Sequence, residues 1–151
     1  MQSAHRQGGF TLVELLIVVI ILGILAAVVI PQFSSAASES KESAVASNLA
    51  TIRQAIEMYK IQHGDNYPSA SIVEQLVAMT EEDGSPGSAY GPYLRSAFPK
   101  NAVNGLSSVT AASAMPGSAN GSSGWLYATS TAEFRANVVG TGPSGVDYFD
   151  L

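Results

Sequence analysis

Hydrophobic positions are spread unevenly along the 151 residues, and three patterns follow one another. From Phe10 to Ile30 the chain is apolar almost without interruption, with Glu14 as its one charged residue. These 21 residues make a helix of roughly 31 Å, matched to a hydrocarbon core of about 30 Å. After Pro31 the pattern becomes one-sided. Val45, Leu49, Ile52, Ile56 and Tyr59 recur at steps of 4, 3, 4 and 3, which predicts an amphipathic helix over 31–63 with one face under a folded head. Glu57 stands at helical spacing from both Arg53 and Lys60, so surface ion pairs are expected there. His63-Gly64 followed by Asp65-Asn66-Tyr67-Pro68 reads as the helix end and its turn.

The third pattern, residues 64–151, is broken into short apolar pieces by turn residues. Ser71-Ile72-Val73-Glu74 has the capping-box spacing and predicts a short helix over about 71–79. Gly91-Pro92, Phe98-Pro99 and Asn104-Gly105 are turn signals. Strands are predicted at about 107–112, 124–129 and 132–137, the last two as a hairpin around Ser130-Thr131. Trp125, Tyr127 and Phe134 belong to a sheet core in preference to an aromatic ligand platform. The Ser/Gly/Ala stretch 112–124 has no large hydrophobe and is expected to be an exposed, flexible loop. Asn120-Gly121-Ser122 fits a glycosylation sequon, but a simple turn accounts for it. The expected fold class is α+β: a long N-terminal helix, apolar then amphipathic, packed on a small antiparallel sheet.

Composition narrows the function classes. Twelve acidic against seven basic residues give a net charge of −5, or −6 once Arg6 is removed with residues 1–9, which disfavours nucleic-acid binding. Without cysteine there is no disulfide, thiolate metal site or cysteine nucleophile. No nucleophile elbow, P-loop or metal-ligand spacing is present, so neither an enzyme nor a cofactor is expected. Glu81-Glu82-Asp83 reads as a solvated loop, and Asp147 and Asp150 are too few to assign a metal.

Three plain readings compete for the N-terminus: a cleaved secretory signal ending near Ser34-Ser35-Ala36, a simple anchor, and a buried helix of a soluble domain. The apolar run exceeds a usual signal core, and a carboxylate inside it costs about 2.5–3.5 kcal/mol at a span centre, less near an edge. The positive charge precedes the span, so the N-terminus is expected in the cytoplasm and the head outside.

Residues 9–16, Gly-Phe-Thr-Leu-Val-Glu-Leu-Leu, behind a short leader (residues 1–9) and before a run ending at Pro31, resemble the prepilin N-terminal cleavage and methylation segment of type IV pilins and type II secretion pseudopilins. That resemblance implies cleavage after Gly9 by the prepilin peptidase and N-methylation of Phe10. It implies an inner-membrane precursor that assembles into a homo-oligomeric filament through residues 10–30. In that filament Glu14 pairs with the Phe10 ammonium of a neighbouring subunit. Gly23 and Pro31 weaken the helix between them, and two readings of that stretch stand side by side: it loosens on assembly, or it bends gently at Pro31 and no more. Gly91-Pro92-Tyr93-Leu94 is similar to secretion pseudopilins, whereas the missing acidic C-terminal loop departs from them. From these features a pilus subunit stands slightly ahead of a secretion pseudopilin, with a membrane-anchored binding protein as the third reading.

Overall fold

A computed structural model describes residues 9–95 and 97–151. The leader expected at 1–9 therefore lies outside the described residues except for Gly9. Contacts divide the chain between Ala37 and Ser38.

Among the described residues of the first unit the element is the start of helix α1, Leu12–Gln62, which runs through Pro31 unbroken. Its large hydrophobes from Phe10 to Phe33 are all exposed, from 42% at Val29 to 83% at Phe10. The helix is long and apolar enough to cross a membrane.

The second unit, Ser38–Leu151, is built on the rest of α1. Its buried residues are Val45, Leu49, Ile52, Ala55, Ile56 and Tyr59, the stripe set by the helical period. α1 closes with the Asp65 N–H donating to the Lys60 carbonyl at 3.1 Å. Gly64 at φ +60 provides the left-handed residue that this Schellman-type closure needs. His63, 1% exposed, stacks on Tyr59 with ring centroids 3.6 Å apart. Its Nδ1–H donates to the Tyr59 carbonyl (2.7 Å), so Nε2 accepts from the Thr80 hydroxyl (2.9 Å).

A short helix α2, Ile72–Val77, follows, then strands β1 (Val109–Ala112), β2 (Trp125–Ala128) and β3 (Phe134–Ala136), and a 3₁₀ turn at Tyr148–Asp150. The sheet order is β1-β2-β3. β2 and β3 form the hairpin, with Tyr127 opposite Phe134 and Trp125 opposite Ala136. β1, however, pairs with β2 in parallel, so the sheet is mixed and not antiparallel throughout. The intervening residues 113–124 form a link of about a dozen residues, long enough to carry the chain back to the starting end of the sheet. Every residue of the central strand β2 is buried. Trp125, Tyr127 and Phe134 are 0–1% exposed and belong to the core. Burial pushes the Tyr127 phenol well above its ordinary range, and its hydroxyl donates to the Pro68 carbonyl at 2.7 Å.

Three local expectations change. The Ser71 side chain makes no cap hydrogen bond; the Ser69 N–H and hydroxyl donate instead to Gln75 Oε1, and the Ser71 N–H donates to the Ser69 hydroxyl. The helix pairs through Glu57 do not form. Arg53 donates instead to the Phe134 carbonyl (3.1 and 2.9 Å) and the Leu151 carbonyl (2.8 Å), and Lys60 donates to the Tyr67 hydroxyl and lies 4.7 Å from its ring centroid. That hydroxyl holds the Lys60 ammonium above its usual pKa. The loop after β1 is pinned at its far end. Asn137, fully buried, accepts the Asn120 and Gly121 N–H groups on Oδ1 and donates to Asn120 Oδ1 and Ser123 Oγ. Small polar residues there are tied by hydrogen bonds that hydrophobicity patterns do not register.

Candidate assembly and processing site

The expected site residues begin at the first turn of α1. Thr11 is the residue before the helix, and its N–H and hydroxyl both donate to Glu14 Oε2 at 2.8 Å. In return the Glu14 N–H donates to Thr11 Oγ1 at 3.2 Å. This reciprocal pair is a capping box, satisfying two backbone donors that a helix start otherwise leaves to solvent. The carboxylate also lies where the helix dipole favours an anion. Thr11 was not singled out from sequence. Its signal was the Thr-x-x-Glu spacing, the same one read at Ser71.

Among the described residues no hydrogen bond reaches the other oxygen, Glu14 Oε1. The first turn thus engages one carboxylate oxygen and, among the described residues, leaves the other without a hydrogen bond.

Gly9 and Phe10 lie just outside the helix and are exposed. A Cβ added at Gly9 would meet no atom within 4 Å, and the same holds at Gly23. Among the described residues nothing therefore crowds a side chain at either place. Pro31 is 17 residues beyond Glu14 within α1, and its carbonyl accepts from the Ser35 hydroxyl at 3.2 Å. The helix brings Thr11 and Glu14 together, but leaves Pro31 apart from them.

The acidic loop Glu81-Glu82-Asp83 is occupied with its own turn. Asp83 Oδ1 accepts from the Ser85 N–H and hydroxyl at 2.9 and 2.6 Å, which holds its carboxyl below the ordinary range. Among the described residues no group of His, Asp and Glu is arranged to hold a metal ion. Asp147 accepts from the Thr141 hydroxyl and Asp150 from Arg135, each at hydrogen-bond distance.

The family model for the prokaryotic N-terminal methylation motif matches residues 4–30, and the model for type II secretion system (T2SS), protein G, matches residues 32–109, just over half the chain. The chain belongs to the type II secretion protein G family. Among its relatives is the type II secretion system core protein G of Pseudomonas aeruginosa, 39% identical over 83 residues, 54% of this chain and 56% of that one. The protein of the same name from Pectobacterium carotovorum is 31% identical over 94 residues, 59% of this chain and 60% of that one. That of Klebsiella pneumoniae is 38% identical over 65 residues, 43% and 46% of the two chains. The chain thus spans about half the length of the curated relatives it matches. No solved structure matches. The pilin and pseudopilin resemblance holds, and these relatives favour the secretion alternative over the pilus reading that the sequence had placed first.

Proposed function

We propose that this protein G family member is a structural subunit of a type II secretion pseudopilus. Its precursor is anchored in the inner membrane by residues 10–30, N-terminus cytoplasmic. The prepilin peptidase cuts after Gly9, and the new amino group of Phe10 is N-methylated. The secretion machinery then draws the subunit out of lipid into a periplasmic filament of like subunits.

The observation that carries this reading is an exposed apolar helix whose first turn presents a half-occupied carboxylate. A simple anchor uses that acid as a helix cap through Oε2 and gives Oε1 no partner. In a filament the methylated ammonium of Phe10 on a neighbouring subunit supplies the missing donor at Glu14 Oε1, and each charge then loses its isolation in an apolar surrounding. The open space around Gly9 supports a requirement imposed from outside the chain, by the narrow site of a membrane protease. Pro31 and Gly23 bracket a stretch that loosens when the subunit is drawn into the filament.

Intact mass of the purified protein tests the processing. A chain that begins at methylated Phe10 is expected. One that begins at Ala37 would indicate signal cleavage, and one that keeps Met1 an uncleaved anchor; either sinks the subunit reading. Deleting the gene then separates the machines: loss of a secreted protein with no change in sheared surface fibres supports the pseudopilus, and loss of the fibres supports a pilus.

A further inference from the structure

The second unit carries an uncharged groove and a loop with two exposed valines on opposite flanks. The groove, about 420 Å³, lies between α1 and the turn after Tyr90, and is lined by apolar Ala55, Met58, Pro92 and Tyr93 and by polar Thr51, Gln54 and Gln62. Met58 is 49% exposed. The turn is held by Gly91 at φ +81, where an added Cβ would come within 2.9 Å of the Ala78 carbonyl. The loop around residues 139–146 is closed by the Thr141 and Asp147 pairing and contains Val139, 69% exposed, and Val146, 42% exposed. Glu42 fixes this loop to α1 by accepting the Ser144 N–H at 3.1 Å and the Ser144 hydroxyl.

Glu42 and Met58 therefore mark the two flanks on one helix. Sixteen residues at about 100° and 1.5 Å each put Met58 roughly 160° around the axis and 24 Å along it from Glu42. Arg53, which holds β3 through the Phe134 carbonyl, lies within about 20° of Glu42 by the same count, so the whole segment from β3 to the loop belongs to the flank away from the groove.

Charge narrows what can meet these surfaces. Residues 38–151 carry eleven acidic and six basic residues, the whole chain's twelve and seven less Glu14 and Arg6, so two such heads repel one another. The groove residues are uncharged, and so is every residue from Ala136 to Val146. Asp147, Asp150 and Glu42 flank the loop, and an uncharged groove can receive it without juxtaposing carboxylates.

We propose that the loop bearing Val139 and Val146 of one copy seats in the Met58 and Pro92 groove of the next. This rests on the reading of the chain as a filament subunit, because tethering by the N-terminal helix keeps copies parallel. Parallel copies cannot form a two-fold contact about an axis perpendicular to their helices. A patch meeting a different patch, displaced along the axis, repeats without closing and builds an open helical array. The apolar surface of the head then has an occupant, as the apolar surface of the span does.

The chain has no cysteine, so paired thiols can be introduced cleanly. The full-length chain carrying Met58→Cys and Val139→Cys is expressed with the secretion assembly machinery and treated with a short bis-maleimide. A ladder running beyond the dimer is expected. Each single-cysteine chain stays monomeric, while the two co-expressed give a dimer. A dimer from either single substitution means a two-fold contact and overturns the proposal. Absence of the ladder also overturns it; if filaments form at normal yield in that preparation the subunit reading stands, and if none form both fall. A thiol-free check is Val139→Lys, which should lower filament yield and leave the melting temperature of the head unchanged. Unchanged yield counts against the contact.

Discussion

Both halves of α1 carry Val, Ile and Leu, densely in the first and as a stripe in the second, yet they are opposites in burial. Val45, Leu49, Ile52 and Ile56 are 0–2% exposed, whereas Val18, Ile20, Leu22 and Ile24 are 52–62% exposed. The second half is stabilised within its own chain. Among the described residues, the large apolar side chains of the first half are exposed on the folded chain. Hydrophobicity in this chain thus has two separate meanings, and substitutions in the two halves should act on different observables.

The largest predicted separation comes from Glu14→Ala. Filament recovery, measured by pelleting sheared or periplasmic material, is expected to fall to background because an apolar assembly then holds an unpaired ammonium. The head should melt where the parent melts. A filament yield near the parent's would remove the role assigned to the carboxylate.

Ile52→Ala inverts that outcome. Deleting a fully buried branched side chain costs about 2–5 kcal/mol, a large part of the stability of a small domain. Thermal melting of the head should fall by many degrees, while Ile20→Ala leaves it unchanged. Equal melting of the two variants would break the comparison between the halves.

Arg53→Ala is next. Three hydrogen bonds from one guanidinium join α1 to β3 and to the Leu151 carbonyl. Bonds to a charged donor are worth about 1.5–3 kcal/mol, so chemical denaturation should shift by that order, with faster hydrogen exchange in β3. A smaller and pH-dependent effect comes from Tyr127. Its phenol is raised by burial, so the folded state keeps the proton that the unfolded chain releases near pH 10. Stability is therefore full below about pH 10 and declines as pH rises beyond it. Tyr127→Phe should flatten that alkaline limb in a pH series of melting curves.

These contrasts also mark what the sequence could express. The buried stripe of α1 was legible because a helix against one head repeats its period faithfully. Arg53 was read as a surface pair because Glu57 is four residues away, while its actual partners, at 134 and 151, are brought close only by the sheet. The direction of β1 was not legible either, since alternation reports a strand's faces and not its polarity. The expectation of processing at Gly9 comes from a local phrase, and the methylation-motif family model matches residues 4–30. The choice between pilus and secretion filament could not be read there, because it depends on a machine outside the chain.

The smallest predicted effect is the most discriminating about local chemistry. The spacing Ser/Thr-x-x-Glu occurs at Thr11 to Glu14 and at Ser71 to Glu74, yet only the first forms the reciprocal bonds. At the second, Ser69 takes the Ser71 N–H, and Gln75 takes the Ser69 donors. Loss of a working cap costs about 0.5–2 kcal/mol, so Thr11→Val should speed hydrogen exchange of the first-turn amides of α1 in detergent by roughly two- to thirtyfold. Ser71→Ala removes no side-chain bond to the helix start and should leave the exchange of α2 within a factor of about two, a few tenths of a kcal/mol. Comparable acceleration at both helices would mean that the motif, and not the bonds around it, decides the cap. A Thr11→Ser chain separates the hydroxyl from the methyl group: it should exchange like the parent, since the donor to Glu14 Oε2 is retained.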